Sequence, residues 1–103
     1  MANLRHGSRT VHSVRIGNFV EIKNSNIGDV SKVAHLAYVG DADVGKEVNV
    51  GCGVIFVNYD GVHKNRIRVC DKAFIGSNCN LIAPLRIAEK TYICAGTTVT
   101  QNT

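Results

Sequence analysis

Six aliphatic residues in the second half of the chain stand six positions apart: Val69, Ile75, Leu81, Ile87, Ile93 and Val99. A period of six fits neither the 3.6 residues of a helical turn nor the two-residue alternation of a single strand. It describes a chain that makes a short strand, turns a corner and repeats. The first half keeps a looser beat, with Val11, Ile16, Ile22, Ile27, Val33, Val39, Val44, Val50 and Phe56 five or six apart. Three such steps close a triangular coil of about eighteen residues, and stacked coils lay strand on strand in parallel sheets around a narrow apolar core. Glycine follows the aliphatic residue in Ile16-Gly17, Ile27-Gly28, Val39-Gly40, Val44-Gly45, Val50-Gly51 and Ile75-Gly76. These pairs are expected to mark the corners, a small or positive-φ residue easing each turn. A small sandwich is the alternative architecture, but its turn signals recur every 8–12 residues rather than every six.

A length of 103 residues reads as one domain, 1–103, and accommodates a solenoid of about five coils. Each coil buries its interior only against its neighbours, so stability accumulates along the stack. No polar capping segment follows Val99, and the strand edges of the last coil are expected to stay open to self-association or flanking sequence. Between Phe56 and Val69 the spacing jumps from six to thirteen. The segment 57–68 carries Asp60-Gly61 and then basic residues, and reads as a loop projecting from one corner, either functional or a tolerated insertion. A second irregularity, Ala34 to Asp41, places His35 and Tyr38 beside another corner.

The remaining composition excludes more than it suggests. The net charge of +4 is scattered, with acids interleaved and no aromatic stripe, a pattern that argues against nucleic acid and suits a small phosphorylated ligand. Cys52, Cys70, Cys79 and Cys94 form no C-x-x-C pair, so they are expected to be reduced core or corner residues. His6, His12, His35 and His63 lie far apart without ligand spacing, which disfavours a three-histidine zinc site of the γ-carbonic anhydrase type; no metal is expected. No apolar run reaches membrane-spanning length and the amino terminus lacks a secretory pattern, so a cytoplasmic setting is expected.

Several motifs in one order carry a resemblance. They are Ile16-Gly17-Asn18-Phe19-Val20-Glu21-Ile22-Lys23, His35-Leu36-Ala37-Tyr38-Val39-Gly40-Asp41, Asn49-Val50-Gly51-Cys52-Gly53, Asn58-Tyr59-Asp60-Gly61, Phe74-Ile75-Gly76-Ser77 and Ala95-Gly96-Thr97-Thr98-Val99-Thr100. Together they resemble the carboxy-terminal acetyltransferase domain of the GlmU family, bacterial bifunctional enzymes of UDP-N-acetylglucosamine synthesis. The resemblance implies an all-β, left-handed parallel β-helix of the hexapeptide acyltransferases, assembled as a homotrimer. It implies acetyl transfer from acetyl-coenzyme A to the amine of glucosamine 1-phosphate, with His35 as general base. It places Arg5, Lys23, Tyr38, Asn49 and Lys64 around the sugar phosphate, and Cys52, Asn58, Tyr59, Ser77 and Ala95 along acetyl-coenzyme A.

A backbone N–H near Cys52 is suited to an oxyanion, whereas its thiol has no evident activating partner. The sequence also departs from that family. The nucleotidyltransferase half is missing, Arg5-His6-Gly7 replaces arginine, proline, glycine, Gly53 to Val57 replaces a threonine-rich run, and Ala88 replaces a corner glycine. The chain stops at Thr103, before a tail that completes a neighbouring coenzyme pocket, so weakened acetyl-coenzyme A binding is expected. Two competing readings are a non-catalytic trimeric scaffold and a hexapeptide acyltransferase acting on another amino-sugar.

Overall fold

The computed structural model describes residues 2–5, 7–10, 14–58 and 65–103. Among these, every regular element is a strand of two or three residues, because each side of the coil is too short for more. In chain order the first coil holds β1 (Asn3–Leu4), β2 (Arg9–Thr10) and β3 (Arg15–Ile16), and the second β4 (Glu21–Lys23), β5 (Asn26–Ile27) and β6 (Lys32–Val33). The third has β7 (Tyr38–Gly40), β8 (Ala42–Val44) and β9 (Asn49–Val50), and the fourth β10 (Ile55–Val57), β11 (Ile67–Val69) and β12 (Phe74–Ile75). The fifth has β13 (Asn80–Ile82), β14 (Leu85–Ile87) and β15 (Tyr92–Ile93), and β16 (Thr98–Val99) begins another turn.

Every third strand pairs in parallel. The first face is β1-β4-β7-β10-β13-β16, the second β2-β5-β8-β11-β14, and the third β3-β6-β9-β12-β15. Glu21 lies over Tyr38, a coil of 17 residues; Asn80 lies over Thr98, a coil of 18; and Ile55 lies over Asn80, a coil of 25 that contains the insertion. The insertion is narrower than the spacing suggested, since Val57 still belongs to β10 and Ile67 and Arg68 to β11. Its central residues Tyr59 to Lys64 lie outside the described residues.

The beat of aliphatic residues becomes the core. Ile22, Val39, Phe56, Leu81 and Val99 point inward from the first face, Ile27, Val44, Val69 and Ile87 from the second, and Val33, Val50, Ile75 and Ile93 from the third, all buried. Ile16 is partly buried, and Val11 lies outside the described residues. A second inward set, two positions before the first, includes Val20, Ala37, Val54 and Cys79, so the Cys79 thiol is a core group. Two buried serines tie coil to coil: Ser25 Oγ accepts from Ala42 N–H at 3.0 Å, and Ser31 Oγ accepts from Val48 N–H at 3.0 Å. The far edge is not fully open either, because Asn102 Oδ1 takes Arg86 N–H and Thr103 Oγ1 takes Ala88 N–H, each at 2.8 Å.

The corners correct the glycine expectation. None of the six glycines that follow an aliphatic residue has positive φ; the left-handed residues come two or three positions after it and stack in columns. Gly7, Asn24 and Asp41 line the corner between the first and second faces, and Val30, Glu47, Lys72 and Lys90 the next. Phe19, Leu36, Gly53, Asn78 and Gly96 line the corner between the third and first. Five of the paired glycines serve instead where the next coil presses close, and Gly40 where the Tyr38 ring of its own strand lies across it.

Val30 is the costliest of the left-handed set, a β-branched residue at φ 60° with 54% of its surface exposed. It gains little packing there in return for strain of about 1–2 kcal/mol. Val30→Asn should therefore stabilise the chain by about 1 kcal/mol, read as a rise in the urea midpoint.

Candidate functional site

The corner between the third and first faces carries a vertical column of five equivalent positions: Asn18, His35, Cys52, Ser77 and Ala95. Their register follows from the backbone, since the carbonyls of Asn18, His35, Cys52 and Ser77 accept from the N–H groups of Leu36, Gly53, Asn78 and Gly96 one coil on. Four of the expected site residues are thus stacked on one edge. His35 is exposed, and its Nδ1 accepts from Asn18 N–H at 2.7 Å. With Nδ1 as acceptor, the neutral ring carries its proton on Nε2.

Room for the ring comes from Gly17, where a Cβ would stand 2.6 Å from His35 Nδ1 and 2.9 Å from its backbone nitrogen. Cys52 is exposed beside it, and its own N–H has no acceptor among the described residues.

A second group forms on the first face. Arg5 follows β1, Lys23 ends β4 and Tyr38 begins β7, with Tyr38 in register between Glu21 and Ile55. Arg5 Nη1 meets Glu21 Oε2 at 2.7 Å, and this contact pushes the guanidinium pKa further up, keeping it cationic. The Tyr38 ring lies across Gly40, where a Cβ would fall 2.6 Å from Cζ, and its hydroxyl comes within 3.5 Å of Asn58 Nδ2 at the neighbouring corner. Arg5, Lys23, Tyr38 and Asn58 therefore share one side of the prism.

Asn49 stands apart. It belongs to β9 on the third face, between Lys32 and Phe74, and lines a shallow cleft of about 340 Å³ with Val30, Lys32, Glu47, Val48 and Phe74. Within one chain it does not join Lys23 and Tyr38, because the corner column separates the two faces. Tyr59 and Lys64 lie outside the described residues. A cleft of about 350 Å³ on the second face, lined in part by Asp43, Arg68 and Arg86, contains none of the expected residues. Beside it the Arg66 hydrogen bond holds the Asp43 carboxyl below the usual carboxylate range. No group of three metal-ligating side chains occurs among the described residues, and no helix there is long and apolar enough to cross a membrane.

Sequence reading missed the residues that shape these groups. Gly17 and Gly40 looked like corner formers but act as clearances for an imidazole and a phenol. Glu21 and Asp41 stand in the sequence only as members of longer motifs with no role of their own, although Gly7, Asn24, Asp41 and Asn58 recur at an interval of 17 and share one corner.

No family model matches the chain. It is 57% identical over 101 residues to the bifunctional protein GlmU of Caldicellulosiruptor saccharolyticus, and 56% identical over 101 residues to those of Geobacillus thermodenitrificans and Clostridioides difficile. Each match takes in 98% of this chain and 22% of the relative, so the chain spans about a fifth of their length.

Among solved structures, a hexapeptide-repeat acetyltransferase of Vibrio cholerae complexed with acetyl coenzyme A superposes with a TM-score of 0.81, at 16% identity, over 93% of this chain and 61% of that one. A GDP-perosamine N-acetyltransferase of Caulobacter crescentus, in complex with CoA and GDP-perosamine, superposes at 0.72 with 22% identity, over 97% of this chain and 50% of that one. At such identities the superpositions establish the fold, a left-handed parallel β-helix.

Proposed function

We propose that this chain, whose sequence matches the carboxy-terminal region of GlmU over almost its whole length, moves the acetyl group of acetyl-coenzyme A onto the amine of glucosamine 1-phosphate. The observation that carries this reading is the single edge on which His35 stacks with Cys52, Ser77 and Ala95. An edge of that kind offers an exposed imidazole next to a run of backbone along which an extended thioester can lie.

In this reading the amine nitrogen attacks the thioester carbonyl, and His35 takes the proton that the new ammonium must shed. Charge gathers on the carbonyl oxygen, and the Cys52 N–H is a fixed dipole suited to it. Collapse breaks the carbon–sulfur bond, and the thiolate leaves as coenzyme A. Arg5 and Lys23, with Lys64 from the insertion, supply cations for the sugar phosphate, and Tyr38 a hydroxyl.

His35 must meet one condition. To accept a proton at its exposed Nε2, the ring has to hold its other proton on Nδ1, so the contact with Asn18 N–H opens when substrate binds.

The position of Asn49 favours a trimer. If the edge between the third and first faces points toward a threefold axis, the first face of one subunit meets the third face of the next, and Asn49 of a neighbour approaches Tyr38 and His35. Exposed apolar side chains lie where such contact would bury them: Phe19 at 71% and Leu36 at 65% on the edge, Ile55 at 44% on the first face, Phe74 at 40% and Tyr92 at 69% on the third. Phe74 and Tyr92 stack with ring centroids 4.8 Å apart, a flat aromatic surface for a partner. The four free cysteines and the sugar-phosphate chemistry suit a reducing cytoplasm.

A mixing experiment tests both parts. His35→Ala and Asn49→Ala chains should each be inactive in a coupled thiol-release assay. Refolded together in equal amounts, they should recover up to about a quarter of wild-type activity, the fraction of shared sites in which both residues are intact under random assembly. Recovery near zero would overturn the shared site. No thiol release from the wild type would favour a scaffold, and release only with a different amine would favour another amino-sugar.

A further inference from the structure

Asp41 is the one acidic residue buried among the described residues, with 5% of its surface exposed. A buried carboxylate is costly unless its oxygens are occupied. Here Oδ1 accepts from Asn24 Nδ2 at 2.8 Å and Oδ2 from Asn58 Nδ2 at 2.7 Å, one partner from the coil below and one from the coil above. The same corner fastens the neck of the insertion. Asn65 N–H donates to the Asn58 carbonyl at 2.7 Å and Ile67 N–H to that of Asp41 at 3.1 Å, while the Arg66 guanidinium reaches the carbonyls of Asn24 and Ala42 at 3.3 and 3.2 Å.

The choice of an acid at this place has a consequence for its neighbours. A column of asparagines can run head to tail, each amide donating to the next. A carboxylate accepts only, so both flanking amides must turn their Nδ2 toward it. For Asn58 this settles which end faces which way: one hydrogen of Nδ2 goes to Asp41, the same nitrogen lies 3.5 Å from the Tyr38 hydroxyl, and Oδ1 has no partner among the described residues. Tyr38, approached by a donor, keeps its own proton to give.

We propose that Asp41 is a positioning residue that fixes the polarity of the Asn58–Tyr38 pair, so that the site offers bound substrates an amide oxygen as acceptor and a phenol as donor. The phenol then suits a phosphate oxygen, and the amide oxygen an N–H or O–H group of the coenzyme. This rests on the reading of Tyr38 and Asn58 as ligand residues given above.

Asp41→Asn is the informative variant. Asparagine has nearly the same shape, tolerates φ near 48°, and can continue the column by donating to Asn58, which then reverses its amide. The expected result is a melting temperature within a few degrees of wild type. KM for acetyl-coenzyme A and glucosamine 1-phosphate should rise about tenfold, with kcat changed less than about threefold.

A second measurement stands free of activity. In side-chain amide NMR, the Asn58 Nδ2 protons of the wild type should exchange with solvent at least about tenfold more slowly than those of exposed Asn102, and Asp41→Asn should abolish that protection. Fast exchange in the wild type, or unchanged KM values in Asp41→Asn, would overturn the proposal. Slow exchange that Asp41→Asn removes, in a chain that transfers no acetyl group, would uphold the amide polarity while the acetyltransferase reading fell alone.

Discussion

His35→Ala is expected to lower acetyl transfer to glucosamine 1-phosphate by about 10²- to 10⁴-fold while shifting the melting temperature little. The two halves of that expectation come from different features of the site. His35 is exposed, and the one hydrogen bond its ring makes among the described residues is accepted from the N–H of Asn18, so removing the ring opens no cavity in the core. The chemistry, by contrast, needs an acceptor for the amine proton, and no other histidine stands in the edge column among the described residues.

His35→Asn separates position from proton transfer, because its side-chain oxygen can still accept from Asn18 N–H but has no basicity near neutral pH. It should match the wild type in stability and the alanine variant in rate. ¹⁵N chemical shifts of the ring should report Nδ1 as the acceptor in the free chain, moving toward the opposite tautomer when glucosamine 1-phosphate binds. A His35→Ala chain that retains more than about a tenth of the wild-type rate would show that the proton leaves by another route.

The architecture was legible because a large aliphatic residue recurs on every side of the coil, and Val33, Val50, Ile75 and Ile93 fall into line as soon as the coil length is known. Even the odd five-residue steps from Ile22 to Ile27 and from Val39 to Val44 have a local cause. At that corner the left-handed residue comes two positions after the aliphatic one, at Asn24 and Asp41, rather than three, as at Phe19 or Val30. Conformations were much less legible. Phe19, Leu36 and Val30 take positive φ against their own preference, because stacking on the coils above and below imposes the turn.

For the site, the residue types at the edge could be read one by one, but not their distribution over faces. Asn49 looks like a companion of Tyr38 along the chain and stands on another side of the prism. Asp41 acquires its meaning only once Asn24 and Asn58 are known to lie directly below and above it. Such vertical neighbours are 17 residues apart in the chain, beyond the reach of any local pattern.

Phe56→Ala should cost about 3–5 kcal/mol and lower the melting temperature by about 15–30 °C. Phe56 is the largest fully buried side chain among the described residues, with none of its surface exposed, and it fills the middle of the first face in register with Leu81. In a stack each coil is held by the coils on either side, so a void at this level weakens the contacts of the fourth coil with both the third and the fifth. The loss is large beside the ~5–15 kcal/mol by which a domain is usually stable.

Position matters more than aromatic character here. Phe74→Ala removes the same side chain from the outer surface of the third face, where it is 40% exposed, and should shift the melting temperature of the isolated subunit far less. Phe56→Leu keeps most of the volume and should cost less than about 2 kcal/mol. If Phe56→Ala melted within about 5 °C of the wild type, coils would be held together chiefly by their backbone ladders, and the regular six-residue beat would reflect turn geometry rather than a continuous apolar core.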